Sequence, residues 1–197
     1  MSSTFQQVYQ FKITLKDSKP PIWRRIQVPE NYSFWDLHVA IQDSMGWKDC
    51  HLHEFITPGL SAPGAVRIGL PEANECLHGT KVSISQFFRQ EKDKADYWYD
   101  FGDDWYHLVV LEKTLPRDPK LEYPVCLAGK LACPPENSHG MWGYYEMLEA
   151  LNDRKHPRHN EFTDWLGGSF DPNKFDPKDV VFDDPKERWN MVKGSLL

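Results

Sequence analysis

Tyr9, Phe11, Ile13 and Leu15 alternate with Gln10, Lys12, Thr14 and Lys16. A period of two marks a half-buried strand. The turn 17–21 follows, and Ile22, Ile26 and Val28 then share one face with Arg24, opposite Trp23, Arg25 and Gln27. The two runs predict an antiparallel hairpin over 9–28. Ser33, with Asp36 three residues on, opens a helix as a capping box, Phe34, Leu37, Ile41 and Met45 keep helical spacing, and Gly46 ends it. A strand is expected at 51–56, with His51, His53 and Phe55 on one face. Residues 57–81 offer short strand candidates at 66–68 and 80–82. Ser83 and Gln86 suggest a further capped helix running to about Lys92.

The densest stretch is Tyr97–His107, with six aromatic rings and three aspartates. It predicts a second hairpin over 97–112, in which Tyr97, Tyr99 and Phe101 share a face and 102–104 turn the chain. Residues 114–141 are proline-rich and are expected to be mostly loop. Tyr144, Leu148 and Leu151 predict a helix, Phe162, Trp165 and Leu166 a short one stopped at Gly167-Gly168, and Asp184-Pro185 the start of a last one with Glu187 in its first turn. The polar start, 1–7, is expected to fray. The fold class implied is α+β: a single domain over 1–197, ordered from roughly 8 to 190, with an antiparallel or mixed sheet, a β-grasp-like N-terminal half and C-terminal helices.

Composition narrows the function classes. The chain has 197 residues, 29 of them acidic against 23 basic, for a net charge of −6. That balance opposes a protein that coats DNA. No run is long and apolar enough to span a membrane. Four cysteines without a CxxC pair, and no secretory leader, lead to the expectation of reduced thiols in the cytoplasm.

Several side-chain sets could carry chemistry. Asp100, Asp103, Asp104 and His107 offer oxygen and nitrogen ligands to a divalent metal; the same residues also suit a tight turn in which aspartates accept backbone N–H bonds. His51 and His53, two apart on one strand face, can meet Cys126 and Cys133 at a zinc ion, or the cysteines can be small buried hydrophobes and the histidines can make ordinary hydrogen bonds. Cys133 has nucleophile chemistry if His107 or His139 serves as base, although Pro134 and Pro135 remove two backbone donors. Arg24 and Arg25 beside Trp23, and the cluster Arg154, Lys155 and Arg158, are the candidate nucleic-acid contacts.

Five motifs occur in order: Pro21-Ile22-Trp23-Arg24-Arg25, Met45-Gly46-Trp47, His51-Leu52-His53-Glu54-Phe55, Tyr99-Asp100-Phe101-Gly102-Asp103-Asp104-Trp105 and Cys133-Pro134-Pro135-Glu136. Through them the chain resembles the plasmid pRiA4b ORF-3-like family over roughly residues 8–190. The resemblance implies a link to plasmids and mobile elements, because some members are labelled resolvase-like passenger proteins of insertion elements. After Glu136 this chain reads Asn137, Ser138, His139 and Gly140, where the family pattern has Asp and then Gly-Gly. No serine here has the surrounding arginines that a serine recombinase needs. The reading is therefore a binding module for nucleic acid or a protein partner, with a metal-dependent hydrolase on the acidic hairpin and nearby His and Cys as the alternative.

Overall fold

The computed structural model describes residues 5–70 and 76–193. The frayed start expected at 1–7 therefore lies partly outside the described residues, and the first strand begins at Gln7. The strands are β1 (Gln7–Leu15), β2 (Trp23–Pro29), β3 (His53–Thr57), β4 (Val66–Gly69), β5 (Leu77–His78), β6 (Lys94–Tyr99), β7 (Trp105–Pro116) and β8 (Val125–Lys130). The helices are α1 (Phe34–Met45), α2 (Gly140–Asn152), α3 (His159–Leu166) and α4 (Pro185–Val192). All eight strands form one mixed sheet in the order β5-β4-β3-β6-β7-β1-β2-β8. Every pairing is antiparallel except β4 with β5. The fold is α+β.

Both predicted hairpins are present. Phe11 faces Ile26 across β1–β2, and Tyr97 faces His107 across β6–β7. The alternating residues Phe11, Ile13, Leu15, Ile26 and Val28 are buried on the core face. On the other face Gln10, Gln27, Arg25 and Glu112 form a hydrogen-bonded patch across three neighbouring strands, with Arg25 held by both carboxylate oxygens of Glu112 at 2.6 and 2.8 Å.

Helix α1 packs across the core. Ser33 Oγ accepts from the Asp36 N–H at 3.2 Å, and the Asp36 carboxylate accepts from the Ser33 N–H at 2.8 Å. A capping box of this kind contributes about 1 kcal/mol. Gly46 stops the helix at φ 91°, a conformation that costs glycine no Cβ clash. The hairpin-then-helix opening is there, but the next strand, β3, pairs with β4 and β6, and β7 takes the place beside β1.

Four local expectations are corrected. Residues 79–81 form a 3-10 turn rather than a strand, and 84–86 a single 3-10 turn rather than a helix reaching Lys92. The stretch 114–141 is not mostly loop: β7 runs to Pro116, and β8 adds an edge strand beside β2. Its alternation is hard to read because Ala128, Gly129 and the bulge opposite Arg25/Ile26 break the period. Phe101 leaves the Tyr97/Tyr99 face because Asp100, at φ 56°, already begins the turn. No helix among the described residues is long and apolar enough to cross a membrane.

Candidate functional site

Where α1 meets β6, four side chains close a hydrogen-bonded ring. Asp49 donates its backbone N–H to Gln42 Oε1 at 3.2 Å, which turns the Gln42 amide so that Nε2 donates to the Tyr97 hydroxyl at 2.8 Å. Tyr97 then donates to His38 Nδ1 at 2.8 Å, and His38 Nε2–H donates to Asp49 Oδ1 at 2.8 Å. The His38 tautomer follows from this chain of donors. Burial raises the Tyr97 phenol well above its usual range, so it keeps its proton. His38 and Gln42 sit four apart on the buried stripe of α1, which points both into the same place.

The His53 ring lies flat on His38, with 3.4 Å between centroids and 9° between planes. His53 is buried, and neither of its ring nitrogens has a hydrogen-bond partner among the described residues. Burial, reinforced by His38, holds its pKa well below the ordinary histidine value. It is a neutral base. Asp49 Oδ2 is also buried without a hydrogen-bond partner, and its nearest cation is Arg188 Nη1 at 3.7 Å. Among the described residues, His38, Asp49 and His53 form the one group of three ligand-bearing side chains that converge, each offering an atom within 4.8 Å of the others.

Asp49 and His53 floor a cleft of about 560 Å³, with His38 buried behind them. Trp35, Leu52, Leu70, Phe101 and Val192 give it apolar walls, while Asp49, His51, His53 and Asp100 supply acceptors. His51 reaches Asn137 Oδ1 at 3.1 Å and Asp100 Oδ2 at 3.4 Å. Cys50 also lines the cleft; burial, then Glu136 and Asp49, raise its thiol pKa, so it is not a thiolate at neutral pH.

The other residues singled out from sequence have structural partners. In the acidic turn, Asp100 Oδ1 accepts from the N–H groups of Gly102 and Asp103, Asp103 Oδ2 accepts from the His139 N–H at 3.1 Å, and Asp104 Oδ1 accepts from Trp98 Nε1 at 2.9 Å. The turn thus clamps the 133–140 segment, aided by Tyr99 donating to Glu136 at 2.6 Å and Trp47 Nε1 donating to the Pro134 carbonyl at 2.9 Å. Gly140 fits the clamp because a Cβ there would lie 2.6 Å from the Asp103 carbonyl oxygen.

His107 is fully buried, bonded through Nδ1 to backbone carbonyls, and lowered by burial to a pKa of about 3. It does not reach the cleft. Cys126 and Cys133 are set beside Arg24 rather than beside His51 and His53, and burial pushes the Cys133 thiol up to about 12.

Of the five candidate nucleic-acid contacts, Arg24 is buried, donating to the carbonyls of Ser44, Trp23 and Lys130 and stacking on Phe175 at 3.7 Å. Arg25 is paired with Glu112, and Arg158 with Glu146 and Glu161. Arg154 and Lys155 are exposed.

The reading from sequence found His51 and His53 but not His38, Asp49 or Gln42. A histidine and a glutamine at i and i+4 on an otherwise apolar stripe were the available signal: two polar groups in a core position need a shared partner.

A solved structure, that of a protein of unknown function, MM3350, from Methanosarcina mazei Go1, matches with a TM-score of 0.82 and 48% identity over 91% of this chain and 100% of its own. The uncharacterized protein y4hQ of Sinorhizobium fredii (strain NBRC 101917 / NGR234) is 36% identical over 166 residues, 82% of each chain. Residues 7–179 fit the plasmid pRiA4b ORF-3-like pattern, which spans β1 through α3 and every residue of the buried ring, and the chain belongs to that family.

Proposed function

We propose that the chain is a non-enzymatic binding module for a protein partner, which inserts an apolar side chain flanked by a basic one into the cleft beside β3. The observation that carries this reading is the pairing of apolar walls with polar acceptors: Trp35, Leu70 and Phe101 around the carboxylates of Asp49 and Asp100 and the neutral ring of His53. A concave apolar site with a few convergent polar groups suits a ligand with a greasy body and a donor head. The same carboxylates repel phosphate. With Arg24, Arg25 and Arg158 already engaged, a protein partner is favoured over nucleic acid.

Display of random peptides on the immobilised protein tests this. Peptides that pair Leu or Phe with Lys or Arg should be enriched and should lose binding to a Leu70→Glu variant. Binding of a short DNA duplex in preference, abolished by Arg154→Ala with Lys155→Ala, would replace this reading with the nucleic-acid one. The convergence of His38, Asp49 and His53 favours a second reading, a metal-dependent hydrolase at the same cleft. Turnover of activated esters or phosphate esters that depends on added Zn²⁺ or Mn²⁺ and is lost in His53→Phe would establish it.

A further inference from the structure

We propose that His38, Asp49 and His53 bind one divalent first-row transition ion, with Zn²⁺ as the type case, at the floor of the cleft. The inference does not depend on what fills the rest of the cleft.

The donor set is two imidazoles and one carboxylate, which suits zinc, cobalt or nickel better than the all-oxygen cages of calcium or magnesium. The three donor atoms lie within 4.8 Å of one another. A tetrahedral ion with bonds of ~2 Å wants donors roughly 3.3 Å apart, so the three donors must close in as the ion binds. One of the three residues carries a buried polar atom that the protein leaves without a hydrogen-bond partner, Oδ2 of Asp49, and His53 lines the open cleft. A metal bond would give Asp49 Oδ2 the partner it lacks. His53 is already neutral, so it need lose no proton to become a ligand.

The support behind the first ligand is also in place. Metal-bound histidines fix their free nitrogen through a second partner, and His38 Nδ1 meets the Tyr97 hydroxyl, itself held by Gln42. On loading, the His38 proton moves from Nε2 to Nδ1, which then donates to the Tyr97 oxygen while the Tyr97 O–H turns away from the ring. The freed Nε2 lone pair and Asp49 turn from each other to the ion, and the two rings leave their parallel stack, since lone pairs of parallel rings do not converge. One group opposes the site. Arg188, 3.7 Å from Asp49 Oδ2 and bonded to Asp43, places a positive charge next to the carboxylate. It should weaken the ion's affinity.

Calorimetric titration of ZnCl₂ into the EDTA-treated full-length chain, with the visible spectrum of the Co²⁺ form, tests the proposal. One ion per chain is expected, with a Co²⁺ spectrum of nitrogen and oxygen ligation. His53→Phe, which keeps the ring stack, should weaken binding by about tenfold or more, as should Asp49→Ala. Tyr97→Phe should weaken it by roughly tenfold through loss of positioning, and Arg188→Met should tighten it. Metal-free thermal melts identify any variant that fails to fold, and if Asp49→Ala does, His53→Phe carries the test. The proposal is overturned if the wild-type chain takes up neither ion, if binding is undiminished in folded His53→Phe, or if a thiolate-to-cobalt band puts the ion on Cys50, Cys126 or Cys133.

Discussion

His38 and His53 stack face to face at 3.4 Å, one fully bonded and the other without a partner. Protonating His53 would put a charge into an apolar site against a second imidazole, which is why its pKa is driven down. His107 is depressed as well, to about 3, chiefly by burial. Both are neutral when folded and take up a proton when unfolded below about pH 6.5. The unfolded chain therefore binds more protons, and stability falls as pH falls from about 6.5. Each histidine contributes a limiting slope of about 1.4 kcal/mol per pH unit. Asp36, Asp43 and Glu54, raised by burial, protonate first in the folded state and work in the opposite direction nearer their own range. The clean window is thus about pH 6.5 to 5. Urea melts across it should show the decline, and His107→Phe should remove about one proton's share of the slope; a wild-type stability flat across that window contradicts the assignment.

Asp103 reads as a backbone cap for the 133–140 segment, and its chemistry makes that separable from a cation-holding role. An amide oxygen accepts from the His139 N–H nearly as well as a carboxylate does. Asp103→Asn should therefore change stability by less than about 0.5 kcal/mol, while Asp103→Ala should cost about 1–2 kcal/mol. Equal losses in both variants, measured by denaturant melts, would mean that the charge itself matters there.

The sheet was legible because its strands keep their period: β1, β2, β6 and β7 each alternate cleanly, and Ser33, Asp36 and Gly46 bracket α1 with unambiguous chemistry. Strand β8 was not, since its small residues and bulge follow the demands of neighbours. Gly129 is small because the Phe175 ring would meet a Cβ at 2.3 Å. Half of the candidate site was readable in the same way. His51 and His53 stand out by strand parity, but their companions come from elsewhere, Asp49 from the turn after α1 and His38 from a helix face that looks like plain core. Only the tertiary packing of α1 on β3 and β6 joins them. Parity also put Arg24 with Ile26 and Val28 on the core face, where the structure buries it, although sequence alone suggests a nucleic-acid contact.

Arg24 and Arg25, adjacent in sequence, should respond in opposite ways to removal. Arg24→Met strips donors from the carbonyls of Ser44 and Lys130 in a buried site and leaves Phe175 without its stacked guanidinium. A loss of about 3 kcal/mol or more is expected. Arg25→Ala breaks one partly exposed ion pair with Glu112 and should cost about 1 kcal/mol or less. Comparable shifts in the urea midpoint of the two variants would show that Arg24 is not the buried anchor the contacts describe.

Helix α4 lies outside the stretch that fits the family pattern and is held to α1 by a small number of contacts. Arg188 donates to Asp43 at 2.7 Å and pairs with Asp183, Trp189 sits edge-on to Trp35 at 5.0 Å, and Trp35 Nε1 donates to the Pro185 carbonyl at 2.8 Å. None of its residues is buried, and eight residues are too few for a helix to persist alone. Its stability therefore comes from docking, and Arg188 is the contact that joins Asp43 and Asp183 and approaches Asp49. Arg188→Ala should let α4 open locally while the sheet stays folded. In hydrogen exchange, amides of 185–192 should exchange about tenfold faster, equivalent to about 1.4 kcal/mol, with β1 and β7 unchanged. Equal acceleration in the sheet would instead make α4 part of the global folding unit, and Val192 at the rim of the cleft would then be a fixed wall.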